Sequence, residues 1–170
     1  MNKISKGRLA DAFERAERQS DVRIIHLHGQ FTWKSLLSRL GDTAVEEGFA
    51  RPGISEALIE RESSYPTGID AGIGVAIPHA DKIYTSRETV FVAILEEPVL
   101  FNQMGGGESV SVRIVFMLVL GSVGKHLDMM GAVADLIQDT DKLKALWKDG
   151  AYQVLTDALC RQPCRPDIPD

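Results

Sequence analysis

The residues of this chain with the most chemical potential are two histidines, an arginine and two hydroxyl side chains: His79, His126, Arg61, Thr67 and Ser64. His79 closes a glycine-punctuated apolar segment that runs from Tyr65-Pro66-Thr67-Gly68-Ile69 through Gly74-Val75-Ala76-Ile77-Pro78. Val75-Ala76-Ile77 predicts a short buried strand. Pro78 should end it, because proline has no N–H for a ladder and restrains Ile77 to extended geometry. His79 is therefore expected at a strand end, where side chains meet solvent and ligands. Imidazole is largely neutral, nucleophilic and close to its pKa at cellular pH. Held at such a place, it suits a group-transfer relay.

The other residues read as supporting chemistry. His126 follows Gly121-Ser122-Val123-Gly124 at the expected start of a helix. A helix N-terminus favours negative charge, and the glycines keep the backbone open to an anion. Arg61 brings planar, bidentate donors suited to phosphate oxygens. Thr67 and Ser64 offer hydroxyls to the same anion, although ordinary turn chemistry around Pro66-Thr67-Gly68 accounts for them nearly as well. Gly72 and Gly74 are read as relaxing the backbone beside the site.

Arg61-Glu62, Pro66-Thr67-Gly68-Ile69 and Val75-Ala76-Ile77-Pro78-His79, taken together, resemble the signature of phosphotransferase-system (PTS) IIA domains of the fructose/mannitol superfamily, the EIIA type-2 group. The spelling resembles the galactitol-type branch more closely, as do Pro98-Val99-Leu100-Phe101 and Met104-Gly105. The segment Asp70-Ala71-Gly72-Ile73-Gly74 is longer than in the commoner fructose/mannitol spelling, a length the galactitol-like branch accommodates. The resemblance implies that His79 accepts a phosphoryl group from phospho-HPr and passes it to a IIB component. A membrane IIC component then moves a sugar or polyol inward as it is phosphorylated. It also implies that His126 lies beside His79, that Arg61 neighbours the phosphorylated site, and that a mixed sheet is flanked by helices.

The elements that must position these residues follow from patterning. Val22 to His28 reads as a strand ending at Gly29. Thr32 reads as the N-cap of a helix carrying Trp33, Leu36, Leu37, Leu40 and Ala44, with Gly48 as its stop. A second helix is expected from Ile54 to Arg61, then a loop from Ser63 to Gly72. Thr89 to Leu95 and Val110 to Leu120 are β-branched and apolar, hence central strands, with Gly105-Gly106-Gly107 as a turn between them. Lys125 to Gln138 is an amphipathic helix, and Asp141 to Lys148 and Ala151 to Cys160 are shorter ones. The expected class is α/β (α+β): a single domain over 21–160 with a mixed β-sheet flanked by helices. It is preceded by a charged helical extension at 1–20 and followed by a disordered, proline-rich tail at 161–170.

Bulk properties narrow the classes. With 170 residues, 44% hydrophobic and 25% charged, the chain can bury one real core. A net charge of -5 leaves no basic footprint for nucleic acid. No apolar run approaches the ~20 residues of a membrane span, and residues 1–7 lack the apolar stretch of a secretory signal. A reducing cytoplasm is the simplest compartment for two cysteines, Cys160 and Cys164, that suggest no disulfide framework. His26 and His28 alternate on one expected strand face, but no acidic or cysteine partner completes a metal set, and they read as surface or partner-facing. Without a Gly-x-x-x-x-Gly-Lys loop or a metal constellation, no cofactor is expected and the phosphoryl donor should be another phosphoprotein. Two uses of His79 stay open: sugar transport, or a regulatory, nitrogen-type IIA role in which phosphorylation controls partner binding.

Overall fold

A computed structural model describes residues 22–149. The expected helical extension at 1–20, the expected helix over 151–160, the tail and both cysteines lie outside the described residues. The elements are β1 (Val22–Leu27), α1 (Trp33–Glu46), α2 (Ile54–Ser64), β2 (Gly68–Asp70) and β3 (Gly74–Ala76), then β4 (Thr89–Asn102), β5 (Ser109–Val119), α3 (Val123–Ile137) and α4 (Thr140–Asp149). A 3₁₀ turn at Lys82–Tyr84 separates β3 from β4.

The strands form one mixed five-stranded sheet in the order β1-β4-β5-β3-β2. β1 runs parallel to β4 and β3 parallel to β5, whereas β4–β5 and β2–β3 are antiparallel. Strand alternation divides the apolar residues between two cores. Phe91, Ala93 and Leu95 pack beneath α1 and α2 with Leu36, Leu40 and Leu58. Val90, Val92 and Ile94 pack beneath α3 and α4 with Val133, Leu136, Leu143 and Leu146. Both faces of β4 are covered, so Val90 to Leu95 is apolar throughout rather than alternating with polar residues.

Local chemistry fixes the helix starts. The Thr32 hydroxyl accepts the N–H of Ser35 at 3.1 Å while the Ser35 hydroxyl accepts the N–H of Thr32 at 3.0 Å, a reciprocal cap. At the entry to α3, one Glu88 carboxylate oxygen accepts the N–H groups of Gly121 and Ser122 at 3.0 and 3.2 Å. The Thr85 hydroxyl donates to the Leu120 carbonyl at 3.2 Å. These bonds tie the β5–α3 connection to the segment that follows the 3₁₀ turn.

Several boundaries differ from the sequence reading. β4 continues past Leu95 to Asn102. Ile94 pairs with Ile114 and Val99 with Val112, so Leu95-Glu96-Glu97-Pro98 bulges opposite Arg113 alone. The bulge exposes Glu96, Glu97 and Pro98, which lets charge and proline sit within a strand without breaking its ladder. The expected loop after α2 contains the short strand β2, and α2 itself reaches Ser64. β1 stops at Leu27, so His28 lies beyond it, its Nδ1 3.1 Å from the Glu96 carboxylate, while His26 is exposed on the strand.

Gly74 has a packing role that the sequence reading does not assign. A Cβ there would lie 2.0 Å from the Ser111 carbonyl oxygen, so β3 can approach β5 this closely only at a glycine. Gly74→Ala is expected to cost about 1–3 kcal/mol in urea unfolding, the usual range for overpacking. It should also disturb the strand that leads to His79.

Candidate functional site

His79 sits three residues beyond β3, in a segment still tied to β5. The Leu118 N–H donates to the Pro78 carbonyl at 3.1 Å, and His79 bridges Leu118 in parallel register. The ring is half-buried. Its Nδ1 lies 3.1 Å from the carbonyl oxygen of Ile77. A carbonyl only accepts, so Nδ1 carries the proton and Nε2 keeps its lone pair free for a reacting group.

His126 comes from the first part of α3, where its N–H donates to Ser122 at 3.0 Å. The two imidazoles meet edge-on, with centroids 5.1 Å apart and planes at 64°. Arg61 is exposed in the last turn of α2, its guanidinium 5.8 Å from the Tyr65 ring and close enough to His79 to act on its charge. The structure thus brings Arg61, His79 and His126 together from three elements.

The hydroxyls fare differently. Ser64 is exposed at the final residue of α2. Thr67 is buried, and its hydroxyl donates its only proton to a Glu62 carboxylate oxygen at 2.8 Å. A phosphate could take that proton only by breaking this bond. The sequence reading paired Glu62 with Arg61 as a motif but gave it no task of its own. Adjacent helix positions point about 100° apart, so Glu62 turns inward as Arg61 faces out. Gly72 has φ +79°, a left-handed conformation that glycine adopts without strain. His26 and His28 take no part in the site, and no metal-binding group of three His, Cys, Asp or Glu occurs among the described residues.

The electrostatics favour a neutral His79. Burial is the largest influence and pushes its pKa below the ordinary histidine range. The Ile77 carbonyl works against this fall, while the charges of Arg61 and His126 add to it. Because the charged ring is disfavoured in the folded protein, this group's contribution to stability is complete above the unfolded value of about 6.5. It is lost as pH falls from there through the lower folded value. NMR titration of the His79 ring should therefore give a midpoint below about 6.5. Arg61→Ala and His126→Ala should each raise that midpoint, yet leave it depressed because burial dominates.

Comparison with known proteins gives the family. The family model described as "Phosphoenolpyruvate-dependent sugar phosphotransferase system, EIIA 2" matches residues 20–160. A fructose-specific EIIA component of the PTS from Haloferax volcanii is 29% identical over 132 residues, 75% of this chain and 82% of that protein. A galactitol-specific EIIA component from Escherichia coli K12 is 25% identical over 112 residues, 65% of this chain and 75% of that protein. Among solved structures, a Streptococcus mutans protein described as a PTS IIA (PtxA) superposes with a TM-score of 0.65 at 21% identity, covering 89% of this chain and 95% of that one. The mannitol IIA of E. coli, solved in complex with phosphorylated IIB, superposes with a TM-score of 0.64 at 16% identity, covering 84% and 95%. With the family model spanning most of its length, this chain belongs to the EIIA type-2 family of the sugar phosphotransferase system, the phosphotransfer components of that transferase system.

Proposed function

We propose that this chain is a cytoplasmic IIA component that accepts a phosphoryl group on Nε2 of His79 from phospho-HPr and passes it to a IIB protein. The relay would serve uptake of a sugar or polyol of the galactitol type through a membrane IIC partner. The observation that carries this reading is the 3.1 Å contact of Nδ1 with the Ile77 carbonyl, which leaves Nε2 as the nucleophile beside Arg61 and His126. The fructose and galactitol relatives support a sugar or polyol as the final acceptor, and the mannitol IIA–IIB complex supports a IIB partner. No helix among the described residues is long and apolar enough to cross a membrane.

The transfer balances without a cofactor. The Nε2 lone pair forms the new P–N bond while the P–N bond to the donor imidazole breaks, its electron pair returning to the donor nitrogen. The Nδ1 proton stays, so the phosphorylated ring carries positive charge against the Ile77 carbonyl oxygen. Transfer through a loose transition state asks mainly for alignment and charge stabilisation. Arg61 and His126 disfavour an imidazolium at His79 but attract the phosphoryl oxygens, so the same charges keep the acceptor neutral and hold the product. In the onward step a nucleophile of IIB would form the new bond to phosphorus as the His79 P–N bond breaks, its electron pair returning to Nε2.

The test is phosphotransfer with Enzyme I, HPr and labelled phosphoenolpyruvate. Wild type should take up acid-labile label that His79→Ala loses entirely. Arg61→Ala and His126→Ala should still be labelled, at rates lower by on the order of a hundredfold, as for loss of one preorganised donor to a developing anion. Chase of the label onto a sugar-type IIB supports transport. Label that no such IIB removes supports the regulatory use of the same histidine, and an unlabelled wild type with competent HPr refutes the relay.

A further inference from the structure

Glu62 is the single buried carboxylate among the described residues, with 5% of its surface exposed. A buried carboxylate is costly to desolvate, so its partners indicate what holds it there. Both oxygens go to one residue. Oε1 accepts the Thr67 N–H at 2.8 Å and Oε2 accepts the Thr67 hydroxyl at 2.8 Å. The same hydroxyl oxygen accepts the Ile77 N–H at 3.1 Å. Ile77 is the residue whose carbonyl holds the proton of His79 Nδ1. An unbroken chain of contacts therefore runs from α2 through the turn before β2 to the acceptor ring.

We infer that Glu62 and Thr67 are positioning residues that lock Ile77 and, through its carbonyl, hold His79 in the Nδ1–H form with Nε2 free. The inference rests on His79 being the phosphoryl acceptor for its consequence on rate, but its geometric content does not. Donation to a carboxylate makes the Thr67 oxygen a stronger acceptor for Ile77 N–H. Pro78 restrains the other side of Ile77, so that residue is held from both flanks. Burial raises the Glu62 pKa and the two bonds from Thr67 oppose that rise, as expected for a carboxylate kept for its accepting geometry.

Long-range ¹H–¹⁵N correlation spectra of the His79 ring report its tautomer directly and need no phosphoryl donor. Wild type should show Nδ1–H alone. Thr67→Val keeps the side-chain shape but removes the hydroxyl, and should mix in the Nε2–H form. It should also lower kcat for acceptance from phospho-HPr about tenfold with KM unchanged. Thr67→Ser, which keeps the hydroxyl, should restore both. A folded Thr67→Val protein with the wild-type tautomer overturns the inference, whatever its rate. If Thr67→Val does not fold, Glu62→Gln decides: it keeps one acceptor for Thr67, and a shift in the His79 tautomer supports the inference whereas an unchanged tautomer overturns it. Failure of the phosphorylation assay with the predicted tautomer shift intact would refute the relay and leave the positioning chain standing.

Discussion

The hydrogen bond from His79 Nδ1 to the Ile77 carbonyl is the constraint around which the rest of the site is arranged. It decides which ring nitrogen carries the proton, and so which one keeps a free lone pair. It requires Ile77, just beyond β3, to aim its carbonyl back at the next-but-one side chain, and Pro78 makes that turn by removing a donor and restricting the backbone. β3 can deliver Ile77 to that point because Gly74 lets it press against the Ser111 backbone of β5. The strand is buried between α1–α2 on one side and α3–α4 on the other, so the ring is presented from a rigid sheet.

The helices supply what the strand cannot. α2 ends beside His79 and splits adjacent residues between two tasks, with Arg61 outside near the ring and Glu62 inside on Thr67. α3 begins beside it on the other side, and its entry is held by Glu88 and Thr85, so His126 arrives edge-on to His79. Arg61 and the His126 ring both disfavour a charged imidazole at His79, and the same two side chains face the place an anion would take. Under the proposed relay, the charges that resist protonation of His79 would be compensated by a phosphoryl group on Nε2.

Much of this was legible in the residues. The β-branched runs of β4 and β5 and the Thr32 cap read correctly because each is a local, periodic signal. His79 at a strand end followed from one proline after a short apolar run. The proximity of His126, distant in sequence, came from the family resemblance and not from patterning. β2 was not legible, since Gly68-Ile69-Asp70 looks like turn residues and becomes a strand only by pairing with β3. The second half of β4 was hidden by Glu96-Glu97-Pro98, whose polarity reflects a bulge. Thr67 read as a phosphate donor or a turn residue because its partner Glu62 lies five residues back across a helix end, a spacing that matches no helix or strand period.

The most direct test of this account is the regiochemistry of the phosphorylated protein. Long-range ¹H–¹⁵N and ³¹P spectra of ¹⁵N-labelled protein, phosphorylated through HPr, identify the nitrogen bonded to phosphorus. The account predicts phosphorus on Nε2 of His79, with Nδ1 still protonated against the Ile77 carbonyl. Phosphorus on Nδ1 of His79, or on His126, would contradict it.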